Sequence, residues 1–217
     1  MKTVCVISRK GGVGKSQISV HLAVCAEMLG LTTVLFDLDP QASSAIWSDH
    51  RGEPTPAVVP AQAPRLRGLL RQAEAQGVDI VILDTPPSAD STAADAAAVA
   101  DLMLIPCQPS AFDLDAIGAS VRIAKVTGKP AFVVINRAPM QGSEVSETRA
   151  TLESAGVSVS PVVLHQRKAY SSRAHEGRTA MEHEPNGKAA GEARTLMAWV
   201  LDIMAVQVAD ENRSVAA

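Results

Sequence analysis

The sequence predicts an α/β fold, a single domain built on one mostly parallel, twisted sheet with helices on both faces. Three observations predict it. Apolar runs short enough for strands alternate with helical patterns along almost the whole chain. Most of those runs are continuously apolar rather than alternating, as strands buried on both faces are. Two acidic stretches, Asp37 to Asp39 and Asp84, stand at the ends of strand patterns, where open α/β sheets bind ligands. With 47 % apolar residues over 217 positions, the chain can fill the core such a sheet needs. There is no internal repeat or low-complexity linker. One domain over residues 1–209, with a frayed, disordered tail at 210–217, is the simplest organisation.

The elements follow in order. Val4 to Ile7 is the first strand, and a helix runs from Lys15 to Leu29 with Ile18, Leu22, Cys25 and Leu29 on its inner face and Gly30 beyond its end. Thr32 to Phe36 is the second strand, ended by Pro40. A short helix over Ala42 to Trp47 leads into a proline-rich loop, Asp49 to Pro64, with room for a short strand at Val58 and Val59. Leu66, Leu69, Leu70 and Ala73 mark a helix that stops near Gly77. Asp79 to Leu83 is a strand, Asp90 to Ala100 an alanine-rich helix, and Asp101 to Ile105 a strand followed by Pro106. Ser110 or Asp113 caps the helix that reaches Val126. Ala131 to Ile135 is a strand, Glu144 to Ser154 a helix, and Val157 to Val163 a strand whose Pro161 suits an edge. His165 to Ser172 is a loop or short helix, and Arg173 to Gly187 is rich in turn residues. The last helix spans Ala189 to Val208, with Ala193, Leu196, Trp199, Val200, Ile203 and Met204 as its inner side.

The chemistry starts at Arg9 to Ser16, read Arg-Lys-Gly-Gly-Val-Gly-Lys-Ser, which lies between a strand and a helix. Gly11, Gly12 and Gly14 let backbone amides turn inward around a phosphate, and the helix start adds unpaired N–H groups. Lys15 reaches β- and γ-phosphates, and the Ser16 hydroxyl is placed to ligate Mg²⁺. Asp84, after four apolar residues, has the position of a Walker B acid, and Asp37 and Asp39 add carboxylates beside it. Lys10 is a second lysine at the mouth of the loop. It is either a solvated charge or a group that reaches a nucleotide on a neighbouring subunit.

Lys10-Gly-Gly-Val-Gly-Lys15-Ser16 resembles the deviant Walker A loop of the ParA/MinD class of P-loop ATPases. Asp37-Leu-Asp-Pro-Gln41 resembles that class's second nucleotide motif, Asp84-Thr-Pro-Pro87 its Walker B and switch region, and Asn136-Arg137 its adenine-recognition position. The resemblance runs from about Lys2 to Leu201, and the length is similar to short plasmid-segregating ParA proteins of the ParF-like type. It implies ATP and Mg²⁺ as cofactors and a P-loop NTPase fold. Gly11, Gly12, Val13, Gly14, Lys15, Ser16 and Gln17 would cradle the phosphates, and Asn136 with Arg137 would meet the adenine, helped by the loop between Pro161 and Pro185. Ser16, Asp37 and Asp84 would serve the metal. Lys10, Lys15 and Asp39 would be catalytic, Lys10 across a two-fold ATP dimer and Asp39 on the attacking water. Thr85, Pro86 and Pro87 would be the switch. The resemblance further implies slow hydrolysis, stimulated by a small centromere-binding adaptor of the ParB or ParG kind, in a cytoplasmic, nucleoid-associated protein.

Arg167, Lys168, Arg173 and Arg178 cluster after the last strand, where the family's DNA-contacting arginines lie, so they are the candidate contacts to non-specific DNA. Glu176, Glu182 and Glu184 partly offset that charge, and the net charge of −3 argues against a strongly basic nucleic-acid binder. With 3 % aromatics, a stacking platform for single strands is not expected. The last segment after Trp199 carries Asp202, Asp210 and Glu211 and only Arg213, unlike a basic membrane-anchoring helix, so no membrane attachment is expected. No signal peptide is expected either, since a strand begins almost at once. Cys5, Cys25 and Cys107 have no metal-site spacing and read as reduced, buried residues. Trp47 and Trp199 read as packing anchors, His21 as a packing or helix-surface residue, and His165, His175 and His183 lack ligand spacing. The leading expectation is a DNA-partition ATPase. Its alternatives are an ATPase that positions a protein cargo over the nucleoid, a metabolic P-loop enzyme and a nucleotide-gated scaffold without turnover.

Overall fold

Alternation along uninterrupted apolar strands builds two cores. Val4 and Val6 of strand β1 (Lys2–Val6) face one side, and Cys5 with Ile7 just beyond the strand the other. Ile80 and Ile82 against Val81 and Leu83 repeat the pattern in β4 (Ile80–Asp84), as do Leu102 and Leu104 against Met103 and Ile105 in β5 (Leu102–Cys107). The computed structural model describes residues 1–87, 91–109 and 111–206, with 111–116 described in backbone only. The expected cap Ser110 and the expected tail at 210–217 lie outside what is described, and Asp113, the other expected cap, falls within the helix.

With β2 (Thr33–Asp37), β3 (Ala57–Pro60), β6 (Ala131–Ala138) and β7 (Val159–His165), these strands form one seven-stranded sheet in the order β3-β2-β4-β1-β5-β6-β7. Every pairing along it is parallel. From β1 the chain crosses β4 to form β2, while β5 pairs on the other side of β1. This reversal opens a crevice at the carboxyl ends of the central strands. The register sets Asp37 opposite Asp84, and Asp84 opposite Val6, which precedes the glycine loop.

One face is covered by α1 (Lys15–Met28), α2 (Ser43–Arg51), α7 (Ala180–His183) and α8 (Lys188–Ile203), the other by α3 (Leu66–Ala75), α4 (Ser91–Val99), α5 (Ala111–Thr127) and α6 (Glu144–Ser154). Helix α1 is buried from Ile18 to Ala26 without a break, because α8, α2 and α7 close its outer side. In α4 the small Ala93, Ala96 and Ala97 are buried against its neighbours, as its composition suggests.

Several boundaries differ from the sequence reading. Strand β5 continues through Pro106, which lies beyond the last β1 pair, Val6 with Leu104, so the ladder on that side has already ended. Strand β6 extends over Asn136 and Arg137. The suspected strand at Val58 and Val59 is real and forms one edge, while Pro161 sits on the other edge strand, β7. Helix α2 is longer than expected, and α7 was unforeseen. It starts with a capping box in which Thr179 and Glu182 satisfy each other's backbone. In α8, Trp199 is half-buried and Ile203 exposed. Ala189, Ala190, Met197 and Leu201 are buried on the inner side instead.

Candidate nucleotide site

The glycine loop sits over the crevice and is fastened from three directions. Gly14 adopts φ +94 just before α1, and a Cβ there would lie 2.3 Å from Asn136 Nδ2, so only glycine fits. Asn136, fully buried at the end of β6, donates from Nδ2 to the Val13 carbonyl at 2.7 Å. Gln108, beyond β5, donates to the Gly12 carbonyl at 3.2 Å. Gly11 lies beside Pro87, and the Thr85 hydroxyl donates to the Val6 carbonyl at 2.9 Å, tying the segment after β4 to the loop. Gly11 and Gly12 are exposed, Lys10 half-buried, Val13 buried.

Lys15 is buried, and its ammonium donates to the Lys10 carbonyl at 3.3 Å. Burial lowers its pKa, opposed by the nearby Asp84 and Asp39 carboxylates. Asp84 is fully buried. Its Oδ2 accepts the Ser44 hydroxyl at 2.7 Å, and the nearby Ser16 hydroxyl favours its charged form. Burial pushes its pKa up to about 6 against those two hydroxyls. Its Oδ1 is buried and has no hydrogen-bond partner. Asp37 is the anchor of α2: Oδ1 accepts from the Asp39 amide at 3.0 Å, and Oδ2 from the Ser44 and Ala45 amides, each at 3.0 Å. Asp39 is half-buried and its Oδ1 accepts from the Gln41 amide. Pro86 is buried and Pro87 exposed.

Beside the start of α1 a cavity of about 210 Å³ is lined by Ser16, Gln17, Trp47, Arg137, Tyr170 and Arg178, among others. A wider one of about 430 Å³ adjoins it at Arg137, Gln166, Arg167 and Lys168. Arg137 reaches both from a left-handed backbone, φ 52. Asn136 is turned away from them, gripping the loop.

A P-loop fastened at the switch point of a parallel sheet, with an orphaned carboxylate oxygen beneath it, is what a nucleotide-binding fold needs. A comparison with family models decides which. Residues 4–180 match the CobQ/CobB/MinD/ParA nucleotide binding domain. The chain belongs to that family. It is an ATP-hydrolysing P-loop protein that uses ATP and Mg²⁺. Asp84 Oδ1 and the Ser16 hydroxyl fit such a cation, which takes oxygen ligands and keeps several waters. Among the described residues no group of three or more His, Cys, Asp or Glu is arranged to hold a metal by itself.

The chain is 34 % identical to Maintenance of carboxysome distribution protein A of Gloeobacter kilaueensis over 88 % of both chains. It is 28 % identical to Protein ParA of Rhizobium radiobacter, over 79 % of this chain and 82 % of that one. Its fold matches an ATP complex of a Cyanothece McdA variant with a TM-score of 0.76 at 16 % identity, covering 95 % of this chain and 97 % of that chain. These findings correct one expectation. The chain does not group with short plasmid-segregating ParA proteins of the ParF-like type: the carboxysome-distribution relative is more similar, and over more of its length, than Protein ParA of Rhizobium radiobacter. What stands is a positioning or partition ATPase of the ParA/MinD superfamily.

The basic residues after β7 are not a uniform charged face. Arg167 donates from Nε and Nη2 to Glu192 Oε1 at 2.9 and 2.8 Å, and Arg173 pairs with Glu176. Lys168 and Arg178 are exposed. Glu192 also accepts from the His165 amide and the Tyr170 hydroxyl and bonds His165 Nδ1. Burial opposes its charge, but Arg167, His165 and Tyr170 outweigh burial and hold the carboxyl below its usual range. His21 is a packing residue after all, bonded to the Gln17 carbonyl and the Ala180 amide. The cysteines are buried, with no disulfide. No described helix is long and apolar enough to cross a membrane. Sequence reasoning missed Ser44, Gln108 and Glu192. Ser44 alone had a local signal, its position shortly after the Asp37-Leu-Asp-Pro-Gln41 stretch.

Proposed function

We propose that this chain is an ATPase that positions a large protein assembly within the cell through an ATP-gated dimer that grips non-specific DNA. The observation that carries this reading is the likeness, over 88 % of both chains, to a protein named for distributing carboxysomes. The chemistry follows from the site. The amides of Gly11 to Gln17 and the Lys15 ammonium hold the phosphates. Burial favours the neutral amine, so Lys15 depends on Asp84 and Asp39 until phosphate charge arrives. When bound, Mg²⁺ would supply charge neutralisation for the phosphates. Ser16 and Asp84 would hold it, and Asp37 sets the α2 start that delivers Ser44 to Asp84. Asp39 orients the attacking water. Lys10 crosses to the partner's phosphates. Thr85 to Pro87, in contact with the loop, report the γ-phosphate. Arg137 and the segment after β7 border the base, and Asn136 holds the loop that presents it. Exposed Lys168 and Arg178 contribute to DNA contact, with Arg173 if it leaves Glu176 and Arg167 if it leaves Glu192. An adaptor protein on the cargo triggers hydrolysis.

Retention on a non-specific DNA surface tests this, with dimer mass read in parallel under no nucleotide, ADP, ATP–Mg²⁺ and a non-hydrolysable analogue. Retention and dimers are expected with ATP or the analogue alone, and both are expected to disappear in Lys10→Ala. A monomer that ignores DNA in every state would overturn the reading. Deleting the gene in its host then separates cargo from replicon: protein assemblies lose their even spacing while plasmids are still inherited.

A further inference from the structure

A groove runs along the β3 edge of the sheet, meeting the proposed site only at the loop that carries Asp37 and Asp39. Near the β2–α2 loop it encloses about 720 Å³, floored by Val59, Pro60, Pro64 and Leu69 and reaching Asp39. Over α3 it continues for about 560 Å³, with Pro64, Arg65 and Leu69 lining both parts. Two independent features give it a chemistry. Arg65, Arg67 and Arg71 are exposed along its rim and, among the described residues, enter no ion pair. Gly68 stands inside α3 between these arginines, and nothing lies within 4 Å of where its Cβ would be. Internal packing therefore does not require a glycine there, although glycine weakens a helix relative to alanine. An open floor of this kind lets a foreign backbone approach closely.

We propose that this groove docks an extended, acidic segment of a protein partner. Its carboxylates pair with Arg65, Arg67 and Arg71, and its apolar side chains lie on the Val59, Pro60, Pro64 and Leu69 floor. Asp39 at the loop end repels carboxylates, so the acidic part lies over α3. Arginine forks suit carboxylates as well as phosphates, but a duplex backbone leaves the apolar floor uncovered. The inference rests on the proposed function in taking this partner to be the cargo adaptor. The groove also touches the loop that carries Asp39, so an occupant sits within reach of hydrolysis.

The test is fluorescence anisotropy with the full chain and three labelled probes: a peptide alternating glutamate with valine, its lysine counterpart, and a mixed-sequence DNA duplex. The glutamate peptide is expected to bind, more weakly as salt rises. Affinity is expected to fall about tenfold or more in Arg67→Ala/Arg71→Ala and in Gly68→Leu, and to survive in Arg67→Lys/Arg71→Lys. ATP turnover and dimer mass in these variants stay at the unmodified level. Equal binding of the lysine peptide, binding of neither peptide, or arginine-dependent binding of the duplex alone would overturn the proposal. If the unmodified chain neither dimerises nor hydrolyses ATP, the function proposed above fails, and the peptide titration still judges the groove.

Discussion

The glycine loop, through Ser16, and the segment after β7, through Tyr170 and Arg178, border the same cavity, yet they are built in opposite ways. The loop is a contiguous stretch whose backbone does the work, and two side chains from neighbouring strand ends, Asn136 and Gln108, hold it. The segment from Gln166 to Gly187 owes its shape to distant partners. Glu192 takes Arg167, His165 and Tyr170; Arg51 donates to the Gly177 carbonyl and pairs with Glu182; and His21 accepts the Ala180 amide. Even its glycine is set from afar: a Cβ on Gly177, at φ +67, would lie 2.2 Å from the Arg51 backbone. A local motif fixes chemistry, and long-range polar pairs fix the wall around it.

The largest effect expected from breaking this contrast is at the loop. Lys15→Ala removes the one buried ammonium beneath the phosphates while leaving the loop's fastenings to Asn136 and Gln108 in place. ATP turnover is expected to fall roughly a thousandfold, the scale of losing a group that stabilises transition-state charge. The melting temperature should change little. Phosphate release under saturating ATP–Mg²⁺ measures the first, and a thermal melt the second. A melt that collapses with activity would mean that the loop is held by Lys15 rather than by its neighbours.

That contrast also explains what was legible in the sequence. Strand runs, Lys15-Ser16 and the acids at strand ends could be read because each needs only its own neighbours in the chain. Arg167 read as an open charge because Glu192 is far along the sequence. Ser44 went unnoticed because its role appears only when α2 is brought under β4. Helix α7 did leave a local trace, Thr179-Ala-Met-Glu182, the spacing of a capping box. It was hidden by the turn-rich composition around it. Asn136 was expected just beyond the end of the strand at Ile135, but its burial against Val13 depends on β6 running on through it to Ala138.

The second prediction concerns the wall. His21 is buried, with Nδ1–H donating to the Gln17 carbonyl at 2.8 Å and Nε2 accepting the Ala180 amide at 3.1 Å, so the fold requires its neutral form. Burial lowers its pKa to about 4, against the Gln17 bond and the Glu182 charge, with His183 adding to the lowering. The unfolded chain takes up this proton first. The contribution is therefore intact above about pH 6.5 and is lost as pH falls toward about 4, a change on the order of 3 kcal/mol. Urea unfolding followed over this window should show the slope, and His21→Gln should flatten it. Equal slopes in both proteins would place the acid sensitivity elsewhere in the wall.

Helix α2 joins the two regions, and the smallest predicted effect tests that joint. At its start Ser44 donates to Asp84, and at its end Arg51, stacked 5.3 Å from the Trp47 ring centre, holds Glu182 and Gly177. Ser44→Ala deletes one buried hydroxyl and removes the hydrogen bond that Asp84 Oδ2 accepts. The loss in stability should be about 1 kcal/mol, the net worth of a hydrogen bond to a carboxyl that burial already pushes toward its neutral form. Because the hydroxyl orients the carboxylate proposed to serve the metal, Mg²⁺ dependence should shift further than stability does, by about tenfold. A Mg²⁺ titration of ATP turnover beside a urea melt separates the two. If turnover falls at saturating Mg²⁺ with no shift in the Mg²⁺ midpoint, Ser44 acts on α2 rather than on Asp84. The wall would then reach the chemistry through the helix itself.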